Sequence, residues 1–291
     1  MKVERSRKPL PAALLSTVTI VAGSILSTPA ARQAIPERSP LGQPSQHAVP
    51  FAAGETLTYT VGWTVFSGAG VVTVTTREQT TPAGQPACYI VGEARATGFL
   101  SKLYHLYYKA DTLLDTTSLL PWRSTIYSEE GRRRRVRTTR FEWESGQVEF
   151  EQQTDSVFKK KVAVPPGTQD VLSAIYSFRA RREPRGETSA MTVTDGGRVY
   201  TVRVAIEGKE VVETAIGSFS AWRVTPQVLN ERGQPEGRRI VFWFSDDARR
   251  LPVRLRVDLA VGLLNLTLRE ASPPRTGGGA SSPARSSNPR D

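Results

Sequence analysis

The sequence predicts a mainly β protein, about a dozen strands around one main α-helix. Three observations carry that prediction. Apolar and polar residues alternate along most of the middle of the chain, and the apolar set is rich in β-branched and aromatic side chains, the pattern of strands with one buried face. Turn-forming residues break the alternation at short intervals. One segment alone abandons it and repeats its apolar residues at helical spacing.

The elements follow in order. In ETLTYTVGW, Leu57, Tyr59, Val61 and Trp63 share one face, and Gly68 and Gly70 separate this strand from VVTVTT, its hairpin partner. After the turn TPAGQP, ACYIVGEARA makes a third strand. LYHLYYKADTLLD fits either period and is read as a strand ending in a turn near Asp115 and Thr116. PWRSTIYS and RRRRVRTTRFEWE flank the turn EEG as a hairpin, and QVEFEQQ and SVFKKKVAV alternate around a turn near Asp155. From Pro166 the pattern changes. Val171, Leu172, Ile175 and Phe178 form one stripe, Thr168 suits an N-cap, Asp170 the first turn, and Arg179, Arg181 and Arg182 the last. Strands resume with AMTVTD, a Gly-Gly turn and RVYTVRVAIEG. KEVVETAIGSFSAWRVTPQVL, RRIVFWFSD and LPVRLRVDLAVGLLNLTLRE complete the run, with no repeat of fixed period.

The ends of the chain differ in composition from its middle. Residues 1–11 hold the charges, Ala12 to Leu26 hold none, and Thr28 and Ala30 offer small residues for cleavage after Ala30, the layout of a secretory signal peptide over 1–30. An uncleaved N-terminal anchor is the other reading of this segment, although it is short and Ser/Thr-rich for a stable span. No cysteine stands near the cleavage point for a lipid anchor, and no later segment is long and apolar enough to cross a membrane. Residues 31–49 read as a flexible linker and 272–291 as a low-complexity basic tail, neither with enough apolar surface to offset its ordering entropy. The folded unit is therefore 50–271, a size that fills one β sandwich or barrel. The expected location is the periplasm.

Charge and composition bound the chemistry. The chain of 291 residues carries a net charge of +11, of which about +3 leaves with the signal segment, so the remainder stays basic. A basic surface favours anionic partners without naming one. With one cysteine, Cys88, no internal disulfide forms, and its strand-like neighbours mark a buried, inert thiol. Only His47 and His105 are available as imidazole bases, and His47 falls in the linker. Two histidines and one cysteine make no ordinary zinc site, and neither a nucleophile elbow nor a phosphate-cradling loop occurs. No cofactor, metal site or catalytic residue is assigned.

The order of four blocks resembles a family of exported bacterial proteins known as domain of unknown function 3108 (DUF3108). They are GETLTYTVGWTVFSGAG (Glu55 to Gly70), DTLLDTTSLLPWRSTIYSEEG with Asp111, Asp115, Leu120 and Pro121, QDVLSAIYSFR with Asp170, Ser173 and Tyr176, and FWFSDDARRLPVRLRVDLAVGLLNLTL with Ser245, Asp246, Pro252 and Gly262. The resemblance spans about 50–270. It implies a large curved antiparallel sheet around the helix, a half-barrel like that of periplasmic lipoprotein carriers. It implies no reaction, since the family has no established one and a fold does not fix a function.

Three groups of residues are candidates for a site. Arg133, Arg135 and Arg137 share a strand face with Phe141 and Trp143, while Arg132, Arg134 and Arg140 take the other with Val136. The run reads either as a solvated sheet edge, charged against edge-to-edge pairing and neutralised by neighbouring glutamates, or as an anion-binding strip. Among the acids, Asp246 and Asp247 suit a turn, and Asp111 with Asp115 form a pair whose convergence on acid–base chemistry has no support in the sequence. The aromatic inventory includes Tyr104, Trp143, Trp222, Phe242 and Phe244. From it Trp63, Phe66, Tyr107, Trp122 and Trp243 are the expected lining of an apolar cavity, because a curved sheet with one helix has more apolar concave surface than the helix covers.

The expected function is a periplasmic, non-enzymatic binding protein for a hydrophobic or amphiphilic ligand such as a lipid. The rival is a cell-envelope protein docking on an anionic polymer or membrane through its basic strip. Nucleic acid is not an expected partner, since export separates the chain from it and no binding module appears.

Overall fold

In a computed structural model the described residues are 49–64, 66–103, 105–181, 189–230, 232–260 and 262–273. The expected signal peptide, the linker up to residue 48 and the tail from residue 274 lie outside them.

The alternation resolves into fourteen strands. The first eight are β1 (Thr56–Trp63), β2 (Phe66–Thr80), β3 (Pro86–Ala96), β4 (Leu106–Asp115), β5 (Pro121–Glu130), β6 (Arg133–Glu142), β7 (Gln147–Gln153) and β8 (Val157–Ala163). A short helix α1 (Gly98–Leu103) stands between β3 and β4, and α2 (Val171–Ala180) follows β8. The rest are β9 (Ser189–Asp195), β10 (Arg198–Thr214), β11 (Gly217–Leu229), β12 (Ile240–Ser245), β13 (Pro252–Leu259) and β14 (Gly262–Ser272).

All fourteen form one antiparallel sheet in the order β8-β7-β6-β5-β4-β3-β2-β1-β14-β13-β12-β11-β10-β9. The chain meanders out from β1 to β8, crosses through α2 to the opposite edge, and meanders back until β14 pairs with β1. Because crossed strands are neighbours in sequence, short turns set almost every register; only β1 to β14 joins the two halves over long range. The sheet curves strongly without closing into a barrel.

Its two edges, β8 and β9, approach one another through side chains. The Lys160 ammonium donates to the Gly197 carbonyl at 3.4 Å, and the Phe150 ring lies so close to Gly197 that a Cβ there would sit 2.9 Å from Phe150 Cδ1. Val199 packs against Phe141, Val148 and Val164 from the other edge. Arg137 of β6 reaches Asp195 of β9 at 3.6 Å, both side chains buried.

The helix lies on the inner face of the sheet, packed against β3, β4 and β9–β12, and is shorter than the sequence pattern suggested. Asp170, not Thr168, is its N-cap. Asp170 Oδ1 accepts the amides of Leu172 at 2.9 Å and Ser173 at 3.1 Å, and Ser173 Oγ accepts the Asp170 amide at 2.9 Å, a reciprocal capping box. Thr168 is taken up earlier, its hydroxyl donating to the Pro165 carbonyl at 2.6 Å. The Thr112 hydroxyl of β4 donates to Asp170 Oδ2 at 2.7 Å, so the cap also fixes the helix to the inner face of the sheet. Burial holds the Asp170 carboxyl above the usual carboxylate range.

Arg179 secures the other end. Its guanidinium makes paired bonds to the Glu55 carboxylate at 2.8 and 2.9 Å, and Nη2 and Nε donate to the carbonyls of Arg249 at 3.1 Å and Arg250 at 3.2 Å. The cation lies over the rings of Phe51 and Tyr176. A residue whose charge suits a helix C-terminus thus joins α2 to the start of β1 and to the β12–β13 turn.

Candidate ligand-binding site

Of the apolar stripe predicted for α2, Val171, Ile175 and Phe178 face the inner surface of β9–β13, whereas Leu172 packs instead with Phe51, Cys88, Ile90 and Leu114. Val171, Ala174, Ile175 and Phe178 look toward Val193 and Met191 of β9, Val202 and Val204 of β10, and Val224 of β11. Phe242 and Phe244 of β12, stacked on one another at 5.7 Å, and Leu255 and Val257 of β13 extend the wall. Helix and wall do not meet fully. Between them lies an open-mouthed cleft with a cavity volume of about 150 Å³. All sixteen lining residues are apolar, and none carries a nucleophile, an acid or a base.

The aromatic residues expected to line a cavity do not converge there. Trp243 shares β12 with Phe242 and Phe244 but points to the opposite face, where its indole N–H donates to Glu210 and the guanidinium groups of Arg223 and Arg254 lie over its ring at 5.8 and 5.9 Å. Tyr107 of β4 donates to Glu93 at 3.0 Å and lines a separate, open and partly polar depression with Arg95, Ser101 and His105. Trp63 ends β1, half-buried beside Gly262, and Trp122 begins β5, half-buried. Phe66 begins β2 opposite Trp63. The five are spread over β1, β2, β4, β5 and β12. Tyr104 lies outside the described residues. What the aromatic reading missed are the aliphatic residues of β9–β11 and β13; the signal available for them was the helix stripe, which needed a partner surface of its own kind.

The arginine run divides by face. β6 is the third strand from its edge, so the solvated-edge reading does not hold for it. Thr112, which binds the α2 cap, pairs in register with Ser124, and Ser124 with Thr139, which places Thr139 and, by alternation, Arg133, Arg135 and Arg137 on the concave side. Arg137 is buried on Asp195 and does not belong to a surface strip, whereas Arg133 and Arg135 are exposed. On the convex side Arg134 pairs with Glu129 at 3.0 Å and Arg140 with Glu151 at 3.4 Å.

The candidate acids resolve into structural roles. Asp115 Oδ1 accepts the amides of Thr117 and Ser118, and Asp247 Oδ1 those of Arg249 and Arg250, both turn-stabilising. Asp246 binds Lys209 and the Trp222 indole. Asp111 is buried apart from Asp115's turn, and burial, opposed by Arg123 and Lys109, raises its carboxyl above the usual range. Cys88 is buried, its thiol pushed up to about 11 by desolvation first and then by Glu55 and Glu78. His105 is exposed and bonded to Glu129 at 2.9 Å. Among the described residues no three metal-binding side chains gather, and no helix is long and apolar enough to cross a membrane.

Known proteins resemble the chain in fold and family. A β-barrel-like protein of Brucella abortus with domain of unknown function DUF1849 superposes with a TM-score of 0.51 at 10% identity, covering 76% of this chain and 98% of its own. A Bacteroides fragilis protein with a YmcC-like fold covers 77% of this chain and 98% of its own at 10% identity, with a TM-score of 0.31. No curated protein matches. The sequence model of a protein family of unknown function matches residues 58–269, from within β1 to within β14. The chain belongs to the DUF3108 family.

Proposed function

We propose that the protein is an exported, non-enzymatic binding protein that holds a hydrophobic or amphiphilic ligand in the cleft between α2 and β9–β13, in the periplasm. The observation supporting this reading is the lining, sixteen apolar side chains around a space left open to solvent. Apolar surface exposed to water costs about 25 cal/mol per Å². An occupant with an apolar body removes that cost, and a lining without hydrogen-bonding groups selects a hydrocarbon portion over a polar one. The layout of residues 1–30 supports export.

The test is native mass spectrometry of the protein purified from its own host, followed by solvent extraction, with wild type beside Val204→Trp. A reproducible lipid-sized mass on wild type, absent from a Val204→Trp variant of unchanged thermal stability, is the expected result. An empty wild-type protein in repeated preparations refutes the reading. Sequencing the N-terminus of the same material tests export, with Ala31 expected first.

The second reading, docking on an anionic envelope polymer, rests on the exposed guanidinium groups of Arg132, Arg133 and Arg135. Such binding would weaken steeply between low and high salt, whereas apolar binding would barely respond.

A further inference from the structure

We infer that the ligand is a single-chain amphiphile with an anionic head, its chain in the apolar cleft and its head on Arg133 and Arg135; this rests on the binding function proposed above and names the class of ligand.

The two faces of β6 carry their arginines differently. The outward arginines of β6 are neutralised, Arg134 by Glu129 and Arg140 by Glu151 and Glu149. The inward ones divide. Arg137 pairs with Asp195, but Arg133 and Arg135 make no ion pair with any described residue. Glu130, the cross-strand partner of Arg133, takes the Tyr108 hydroxyl. Two like charges stand about 7 Å apart on one strand face, a repulsive arrangement that folding does not require. Edge protection does not explain them, because β5 and β7 flank β6.

Their position connects them to the cleft. Arg137 meets Asp195 at 3.6 Å, and Asp195 follows Val193, a lining residue, by two positions on the same face of β9. Arg135 precedes Arg137 by two positions on the same face of β6, and each such step is about 7 Å. The lining of the cleft is therefore apolar, and the facing strand ends in exposed cations, within the span of one amphiphile. The concave placement also argues against a polymer or bilayer as the anion, since only a group that enters the curve reaches both arginines. Guanidinium groups pair well with carboxylate and phosphate oxygens.

The test is isothermal titration of the full chain with four probes below their aggregation limits: hexadecyl phosphate, hexadecyltrimethylammonium, triethylene glycol hexadecyl ether and inorganic phosphate. Hexadecyl phosphate is expected to bind most tightly and inorganic phosphate not measurably. The exposed double variant Arg133→Ser/Arg135→Ser is expected to weaken hexadecyl phosphate about tenfold while leaving the neutral ether unchanged. The charge-matched convex variant Arg134→Ser/Arg140→Ser is expected to leave both unchanged. If the concave variant binds hexadecyl phosphate as wild type does, or the convex variant loses as much, the head site is wrong and the cleft stands. If no hexadecyl probe binds, the cleft reading falls and this inference with it. Inorganic phosphate binding as tightly as hexadecyl phosphate would also overturn it, because the chain would then contribute nothing.

Discussion

Replacing Arg179 with Met tests what holds the helix in the sheet. The Arg179 and Glu55 side chains are 0% and 1% exposed, so the pair has no solvent to fall back on. The substitution preserves much of the apolar stem but strands a buried carboxylate and leaves the carbonyls of Arg249 and Arg250 without their donors. Removing one partner of a buried ion pair costs about 3–5 kcal/mol, a large part of the 5–15 kcal/mol that ordinary domains possess. In a domain of this size each kcal/mol lowers the melting temperature by about 2–4 °C, so a fall on the order of 10 °C is expected. Replacing both residues, Glu55→Leu with Arg179→Met, removes the stranded charge along with the pair. That variant should be more stable than Arg179→Met alone, with a coupling of about 2 kcal/mol or more between the sites. Urea and thermal unfolding at neutral pH, followed by circular dichroism, read both quantities. A single variant within about 1 °C of wild type, or a double variant equal to the sum of the singles, would show that the pair does not anchor α2.

Three further predictions follow from local geometry. Gly196→Ala and Gly197→Ala both place a side chain at positive φ, costing about 1–2 kcal/mol, but only at Gly197 does the new Cβ collide with Phe150; urea unfolding should find Gly197→Ala the worse of the two. Native Cys88, its thiol held near 11 by burial, should react with iodoacetamide at pH 8 about a hundredfold more slowly than in denaturant; equal rates would place it at the surface. Asp111 holds its proton more tightly folded than unfolded, so its ionisation removes stability as pH rises through the ordinary carboxylate value toward the raised one, and the loss then stays constant. Asp111→Asn should therefore melt above wild type at pH 7, with the gap closing below about pH 4; a lower melting point at pH 7 contradicts this.

Local periodicity made the strands legible and left their arrangement hidden. Leu57, Tyr59 and Val61 alternate in sequence and are buried together, and the Gly-Gly turn opens where β9 meets β10. A six-residue helix such as α1 is too short to establish a period. On β12 the alternation correctly separates Phe242 and Phe244 from Trp243 but does not say which set faces the concavity; that follows from the pairing with β11 and β13 and from where α2 lies. Arg179 shows a different limit. Its local explanation, a cation at a helix C-terminus, was sufficient to account for it, while its partner Glu55 stands 124 residues away.

Sheet order also reassigns the task of protecting the edges. An edge strand needs charge or cover against pairing with another chain. On β9 the parallel bridge from Gln169 to Val193 supplies cover, with amide bonds from Gln169 to the Thr192 carbonyl and from Thr194 to the Gln169 carbonyl. On β8, where Val157 and Phe158 are more than half exposed, Lys159, Lys160 and Lys161 supply charge. The β6 arginines are therefore not needed for either edge, and the convex pair among them is neutralised in place. Arg133 and Arg135 remain, inward-facing and without an ion pair among the described residues, on the concave side that also holds the apolar cleft. Folding alone gives no reason to keep two cations there without an ion pair among the described residues, whereas the proposed ligand would supply one through its anionic head.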